Sequence, residues 1–343
     1  MQRRYVSVAV VTVLLGALLV LAPDVLLIIF AGLLFAVFLH SGGDWIARKS
    51  GLPHGIGVGT FALALVLFLV GAVLAFAPEM VTQFDELSRQ VPEAAGSVRE
   101  HIEAYAWGER LLERISPEGL LSNGGRSAAA TAVSSTFGAL GNVVIIVFIG
   151  LYGAIAPSAY RNGLVALIAP TLRPRATEVL DRLGQTLRNW LTAQLMAMAV
   201  VGILTGGGLW LLGIPLAFML GLIAALLAFI PNIGPVLAAI PAVLLAIPDG
   251  LTTTLLVIAV YVAVQTIESY VITPLIQQEK VSLPPALIIS AQLLLGVLFG
   301  LIGLALATPI AAVLMTLIQE VYVRDYLDRE ELAEKPEEFA PER

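Results

Sequence analysis

Apolar residues run along this chain in long blocks separated by short polar ones. Block length, more than periodicity, predicts the elements. About 20 apolar residues in helical form cross a hydrocarbon core of roughly 30 Å. Blocks approaching or exceeding that length fall at Ile56 to Phe76, Ala128 or Phe137 to Ala156, Leu191 to Leu212, Pro215 to Ile247, Thr252 to about Ile276, and Pro284 to Tyr322. Two shorter runs come first: one follows Arg3 and Arg4, and the other covers Val25 to Leu39. They read as an uncleaved pair of helices broken at Pro23-Asp24.

Between the blocks, two segments carry helical periodicity instead. In 78–127, Val81, Phe84, Leu87 and Val91, then Val98, Ile102 and Tyr105, recur at the spacing of an amphipathic helix. In 171–190, Val179, Leu180, Leu183, Leu187 and Trp190 form one apolar side with Arg175, Arg182 and Arg188 off it, which predicts a helix lying on the membrane surface. The expected architecture is an all-α polytopic membrane protein of about six full spans plus two broken-helix hairpins. Its regions are 1–77 (N-terminal transmembrane helices), 78–127 (extracytoplasmic amphipathic insertion), 128–190 (a span plus a cytoplasmic amphipathic helix), 191–322 (core) and 323–343 (charged cytoplasmic tail).

The hairpins are predicted by a repeat. Shifting the chain by 69 residues lays "GIPLAFMLGLIAALLAFIPNIGPVLAAIPAVLLAI" on "SLPPALIISAQLLLGVLFGLIGLALATPIAAVLMT", with nine identities in 35 positions. The weight rests on Pro215/Pro284 and on Ile233-Gly234 matching Ile302-Gly303, because apolar sequences match easily elsewhere. Each unit is preceded by one full span, so a hairpin that enters and leaves on one side gives the two units inverted topology. Broken helices in inverted repeats are a construction of secondary transporters, with a substrate site near the midplane. Pro231, Gly234 and Pro235 mark the first break, and Gly303 and Pro309 the second.

Composition agrees and narrows the chemistry. The 343 residues are 58% hydrophobic and 13% charged. Lacking cysteine, the chain has no disulfide framework or thiolate site. His40, His54 and His101 show no ligand spacing, so no metal and no cofactor is expected beyond a coupling H+ or Na+. The net charge of −6 argues against nucleic-acid binding. No Ser-His pair or phosphate loop points to catalysis. Arg3 and Arg4, Arg48 and Lys49, and the arginines of 161–188 occupy alternate loops, which predicts cytoplasmic N- and C-termini.

Polar residues inside the spans are the site candidates. Glu268 is the acid well inside a span, Gln265 lies three residues before it and Tyr261 four before that, so all three share a helical face. Asn232 sits at the first break, where a new helix N-terminus presents free N–H groups to a solute oxygen. Gln194 and Gln292 are weaker candidates that equally suit helix bridging.

On "GIPLAFMLGLIAALLAFIPNIGPVLAAIPAVLLAI" and "QTIESYVITPLIQQEKVSLPPALIISAQLLLGVLFGLIGLALATPIAAV", the chain resembles the autoinducer-2 exporter family of bacterial membrane proteins. The Pro-x-Ile-Gly-Pro break, the Gln-x-x-Glu of the next span and the Gly-rich Ala-x-Pro ending carry the resemblance. It departs at "SLPP", where Pro284-Pro285 stand in place of the family's histidine-proline. The resemblance implies export of autoinducer-2 or another small polar solute by a homo-oligomer, with a pentamer as the candidate form. Relatives associated with sodium/proton antiport leave a second reading, with Glu268 as the titrating group. A third is a non-transporting scaffold acting through 78–127.

Overall fold

The structure, a computed structural model, describes residues 21–71, 141–272 and 284–327 and the single positions 74, 82, 85 and 89. The first N-terminal run, most of the 78–127 insertion, His101, Lys280 and the tail beyond Leu327 lie outside the described residues. Every element described is helical. In chain order these are α1 (Pro23–Ser50), α2 (His54–Gly71), α3 (Gly141–Ile155), α4 (Pro157–Ala166), α5 (Arg173–Leu211), α6 (Ala217–Leu227), α7 (Ile233–Ala246), α8 (Leu251–Ile267) and α9 (Pro285–Leu317). Among them α1, α2, α5, α8 and α9, the last two with their continuations, are long and apolar enough to cross a bilayer. The α3–α4 pair, bent by 90°, makes a sixth if counted as one span.

Local sequence explains the ends. Pro23 opens α1 in its first turn, where its missing N–H is no loss, Asp24 faces the positive dipole end, and Arg48 and Lys49 face the negative one. Pro157 likewise starts α4 and forces the bend at Ala156, whose φ of −128° and ψ of 56° leave the helical region. The basic amphipathic stretch behaves differently from expectation. It does not form a separate surface helix but is continuous with the following span as the 39-residue α5. "RNWLTAQL" contains no proline or glycine to part them, so the helix propagates.

The chain divides into two compact units: Met1–Leu63, Ile145–Thr192 and Glu279–Arg343 form one, and Ala64–Val144 with Ala193–Gln278 form the other. In the first, small residues let α1 meet its neighbours closely. Gly32 packs under Ile149, Gly150 under Phe35, and Gly43 against the backbone of Val58. Buried Leu34, Leu39 and Val58 fill the same region. At the far end of α9, a π-helical continuation, Ile318–Leu327, carries Glu320 into a cluster of arginines.

The second unit has its own core, built from Val201 and Leu209 of α5, Leu220 and Ala224 of α6, Ala238 and Ala242 of α7, and Val257 and Val264 of α8. Gly206 of α5 lies against Gly221 of α6, and Gly208 against Val260 of α8. Gly206 and Gly208 of the "LTGGGLW" run therefore let α5 pack closely on α6 and α8. Outward-facing Leu67, Phe68, Trp210, Val236 and Val262 remain exposed, as lipid-facing side chains do.

Candidate functional site

α6 and α7, of 11 and 14 residues, are about 16 and 21 Å long, each short of a membrane crossing. They pack on each other as a hairpin. Its tip is built by backbone rather than by a loop. The Ile233 N–H donates to the Pro231 carbonyl at 2.8 Å, closing a three-residue γ-turn around Asn232, which holds φ 67° and ψ −44°. This is the rare, strained hand of that turn. Asparagine tolerates positive φ better than other residues with a Cβ. The Gly234 N–H then donates to the Ile230 carbonyl at 2.9 Å and α7 begins. Gly234 is obligatory here, because a Cβ on it would collide with the Leu227 carbonyl at the end of α6.

Irregular backbone at membrane depth needs partners for its freed polar groups. Gln194 of α5 supplies one: its Nε2 donates to the Ala228 carbonyl at 2.7 Å. Gln194 and the break are thus brought together, the amide bridging α5 to the end of α6. Asn232 makes no side-chain capping bond to α7 and is exposed.

The Gln265–Glu268 pair lies at the end of α8. Gln265 Nε2 donates to Glu268 Oε2 at 2.6 Å and to Ser269 Oγ at 3.2 Å, and both members of the pair are half-buried. Glu268 opens a five-residue π-helical stretch, a geometry that concentrates at functional sites. About two turns before Glu268, Tyr261 donates its hydroxyl to the Ala238 carbonyl at 3.1 Å, which pins α8 to α7 beyond the break.

Gln292 belongs to the other unit, on the first arm of α9, and is 2% exposed. That helix is itself broken. Gly300 holds φ 61° and ψ −143°, far outside helical geometry. A Cβ on Gly303 would collide with the Leu295 carbonyl and the Phe299 side chain. Residues eight apart in a straight helix are separated by about 12 Å along the axis. The closeness of Gly303 to Leu295 therefore requires the chain to fold back at Gly300. Pro309 lies inside the second arm, as Pro241 lies inside α7.

Two groupings were not visible in the sequence. Glu320 is 6% exposed and accepts from Arg175 Nη2 at 2.9 Å, Arg182 Nη1 at 2.8 Å and Arg324 Nη1 at 3.1 Å. Arg175 also pairs with Asp325 at 2.9 Å. Arg175 and Arg182 on this buried carboxylate fasten the continuation of α9 to the polar half of α5, with Arg324 pairing along the same segment. The signal was Glu320-x-x-x-Arg324 closing an apolar run, but its partners on α5 are 138 and 145 residues away. The second grouping joins His40, Asp44 and His54. His40 and Asp44 are one helical turn apart, a spacing that could have flagged them.

These features define a polytopic helical membrane protein whose apolar core is interrupted by strained, polar-lined breaks. The sequence model of the AI-2E family transporter matches residues 8–323, and the chain belongs to that family. Among its relatives is the Bacillus subtilis (strain 168) protein named "Putative transport protein YrrI", 24% identical over 84% of this chain and 86% of its own length. The Escherichia coli (strain K12) protein named "AI-2 transport protein TqsA" is 23% identical over 90% of this chain and 92% of its own length. The Mycobacterium tuberculosis (strain CDC 1551 / Oshkosh) protein MT0215 is 27% identical over 85% of this chain and 81% of its own.

Proposed function

We propose that this member of a transporter family is a secondary exporter of a small polar solute, autoinducer-2 or a molecule of similar polarity, and that Asn232, Gln265 and Glu268 contact it. The observation that carries the reading is the γ-turn at Asn232. Strain of that kind persists only where the surroundings enforce it: Gln194 fixes the end of α6 through the Ala228 carbonyl, Gly234 lets α7 start against the Leu227 carbonyl, and Tyr261 ties α7 to α8 at Ala238. The result is an exposed amide at the start of a helix in an otherwise apolar hairpin. Asn232 suits a hydroxylated solute, offering both donor and acceptor atoms. Gln194 is assigned to holding the break and Gln292 to the interior of the other hairpin.

Two oppositely facing hairpins, cytoplasmic termini and a homo-oligomer, with a pentamer as the candidate form, complete this reading. The positive-inside tendency supports the orientation, and the 69-residue repeat supports the inversion. Counterflow of labelled autoinducer-2 in proteoliposomes tests the substrate: accumulation that depends on the protein supports it, and rates equal to protein-free vesicles overturn it. A sodium/proton antiporter is the second reading, favoured by the half-buried Glu268 at the opening of the π-helical stretch. It predicts sodium-driven acidification or alkalinisation of the same vesicles, with no solute required.

A further inference from the structure

His40 comes from the middle of α1, Asp44 from one turn further on, and His54 from the first residue of α2. Their ligand atoms all lie within 4.8 Å of one another, and all three side chains are half-buried. The carboxylate stands between the two rings: Asp44 Oδ1 is 2.7 Å from His54 Nδ1, and Oδ2 is 3.3 Å from His40 Nε2. The far side of each ring meets a single oxygen. The Ala154 carbonyl is 3.4 Å from His40 Nδ1 and 3.2 Å from His54 Nε2.

Counting hydrogens gives the cluster its meaning. A neutral imidazole carries one N–H, so two neutral rings supply two protons. Four ring nitrogens face oxygens, so with both rings neutral two of the four contacts are left for a cation, either a proton or a metal ion, to fill. With the protons on the Ala154 side, His40 Nε2 and His54 Nδ1 both turn lone pairs toward the Asp44 carboxylate. Histidines that bind metals fix their tautomer in this way, donating the remote N–H to a backbone carbonyl.

We propose that His40, Asp44 and His54 form a binding site for one divalent transition-metal ion of the zinc class, which staples α1 to α2 and, through the Ala154 carbonyl, to α3. Two imidazoles and a carboxylate are the donor set of zinc, cobalt and nickel, whereas magnesium and calcium take oxygen ligands. Bonds near 2.05 Å in a tetrahedron separate ligand atoms by ~3.3 Å; Asp44 Oδ2 already stands 3.3 Å from His40 Nε2, while Oδ1, 2.7 Å from His54 Nδ1, has to open by about half an ångström to admit the ion. A fourth position is left for water or a small ligand. The Arg188 guanidinium, 3.6 Å from Asp44 Oδ2, competes with a bound cation for that oxygen. The site lies in the first unit and is independent of the transport reading.

The test is metal binding by the full-length, tag-free protein in detergent. Zinc loading followed by elemental analysis is expected to give one ion per protomer, and Co2+ titration the intense visible bands of a tetrahedral complex. Asp44→Asn, which keeps the side-chain shape, and His54→Ala are each expected to weaken binding at least roughly tenfold. Zinc is also expected to raise the melting temperature of the wild type and not that of Asp44→Asn. Wild-type stoichiometry well below one ion per protomer overturns the proposal whatever the variants do. Binding that Asp44→Asn and His54→Ala leave unchanged also overturns it.

Discussion

The two broken apolar stretches do the same thing with different parts. In the α6–α7 hairpin the reversal is a γ-turn on Asn232, with Gln194 from another helix satisfying the Ala228 carbonyl. In α9 it is a single glycine, Gly300, in a backbone conformation nearly closed to other residues. What they share is the next glycine, Gly234 or Gly303, pressed against a carbonyl of the preceding arm. A chain that only needed to turn could have used glycine twice. The first break instead carries an exposed asparagine amide in a strained turn, a sign that it does more than reverse direction.

That contrast can be broken experimentally, and the shared element should give the largest effect. Gly234→Ala and Gly303→Ala each place a Cβ into backbone, which has nowhere to move. Each is expected to destabilise by about 3 kcal/mol and to abolish the monodisperse peak in fluorescence-detected gel filtration. Loss at one position alone would mean that the two glycines do not play equivalent roles. Next is Gln194→Leu, which leaves the Ala228 carbonyl without its amide donor. It should lower stability by about 1–3 kcal/mol in thermal melts and leave Gln194→Glu partly defective, since a carboxylate cannot donate.

Gly300→Ala should follow, at about 1–3 kcal/mol from its backbone conformation. Asn232→Gly should give the smallest change. Removing the Cβ relieves the positive φ, so stability is expected to hold or rise by up to about 1 kcal/mol, while transport falls. Strong destabilisation by Asn232→Gly would instead make the asparagine a structural element like Gln194.

Much of this architecture was legible because membrane burial writes itself into composition. Apolar runs of span length marked α2 and α8, the shorter run Val25 to Leu39 marked the first part of α1, and "IPNIGP" marked the first break, since proline and glycine there have few other uses. The second break was harder: the repeat pointed to Gly303, which is the contact glycine, while the reversal itself is at Gly300. The α5 helix was split in expectation because its polarity changes along its length, yet helix continuity depends on the absence of breakers rather than on uniform polarity. Clusters across the fold left only their local halves in the sequence, Glu320 with Arg324 and His40 with Asp44. Glu320 meets Arg175 across 145 residues, and the partners of His54 become apparent only when α1 and α2 pack at Gly43 and Val58. Of the polar residues expected at the site, Gln265 and Glu268 touch as their helical spacing implied. Gln194 meets the first break through a contact that no local pattern encodes.

The most direct test of the account compares initial rates of solute uptake into proteoliposomes for wild type, Asn232→Ala and Glu268→Gln at equal reconstitution and confirmed folding. The account predicts at least a tenfold loss of rate for both variants, with Gly300→Ala retaining near wild-type turnover per folded molecule. Unchanged rates for Asn232→Ala and Glu268→Gln would contradict it, leaving the γ-turn and the acid as packing features of an apolar hairpin.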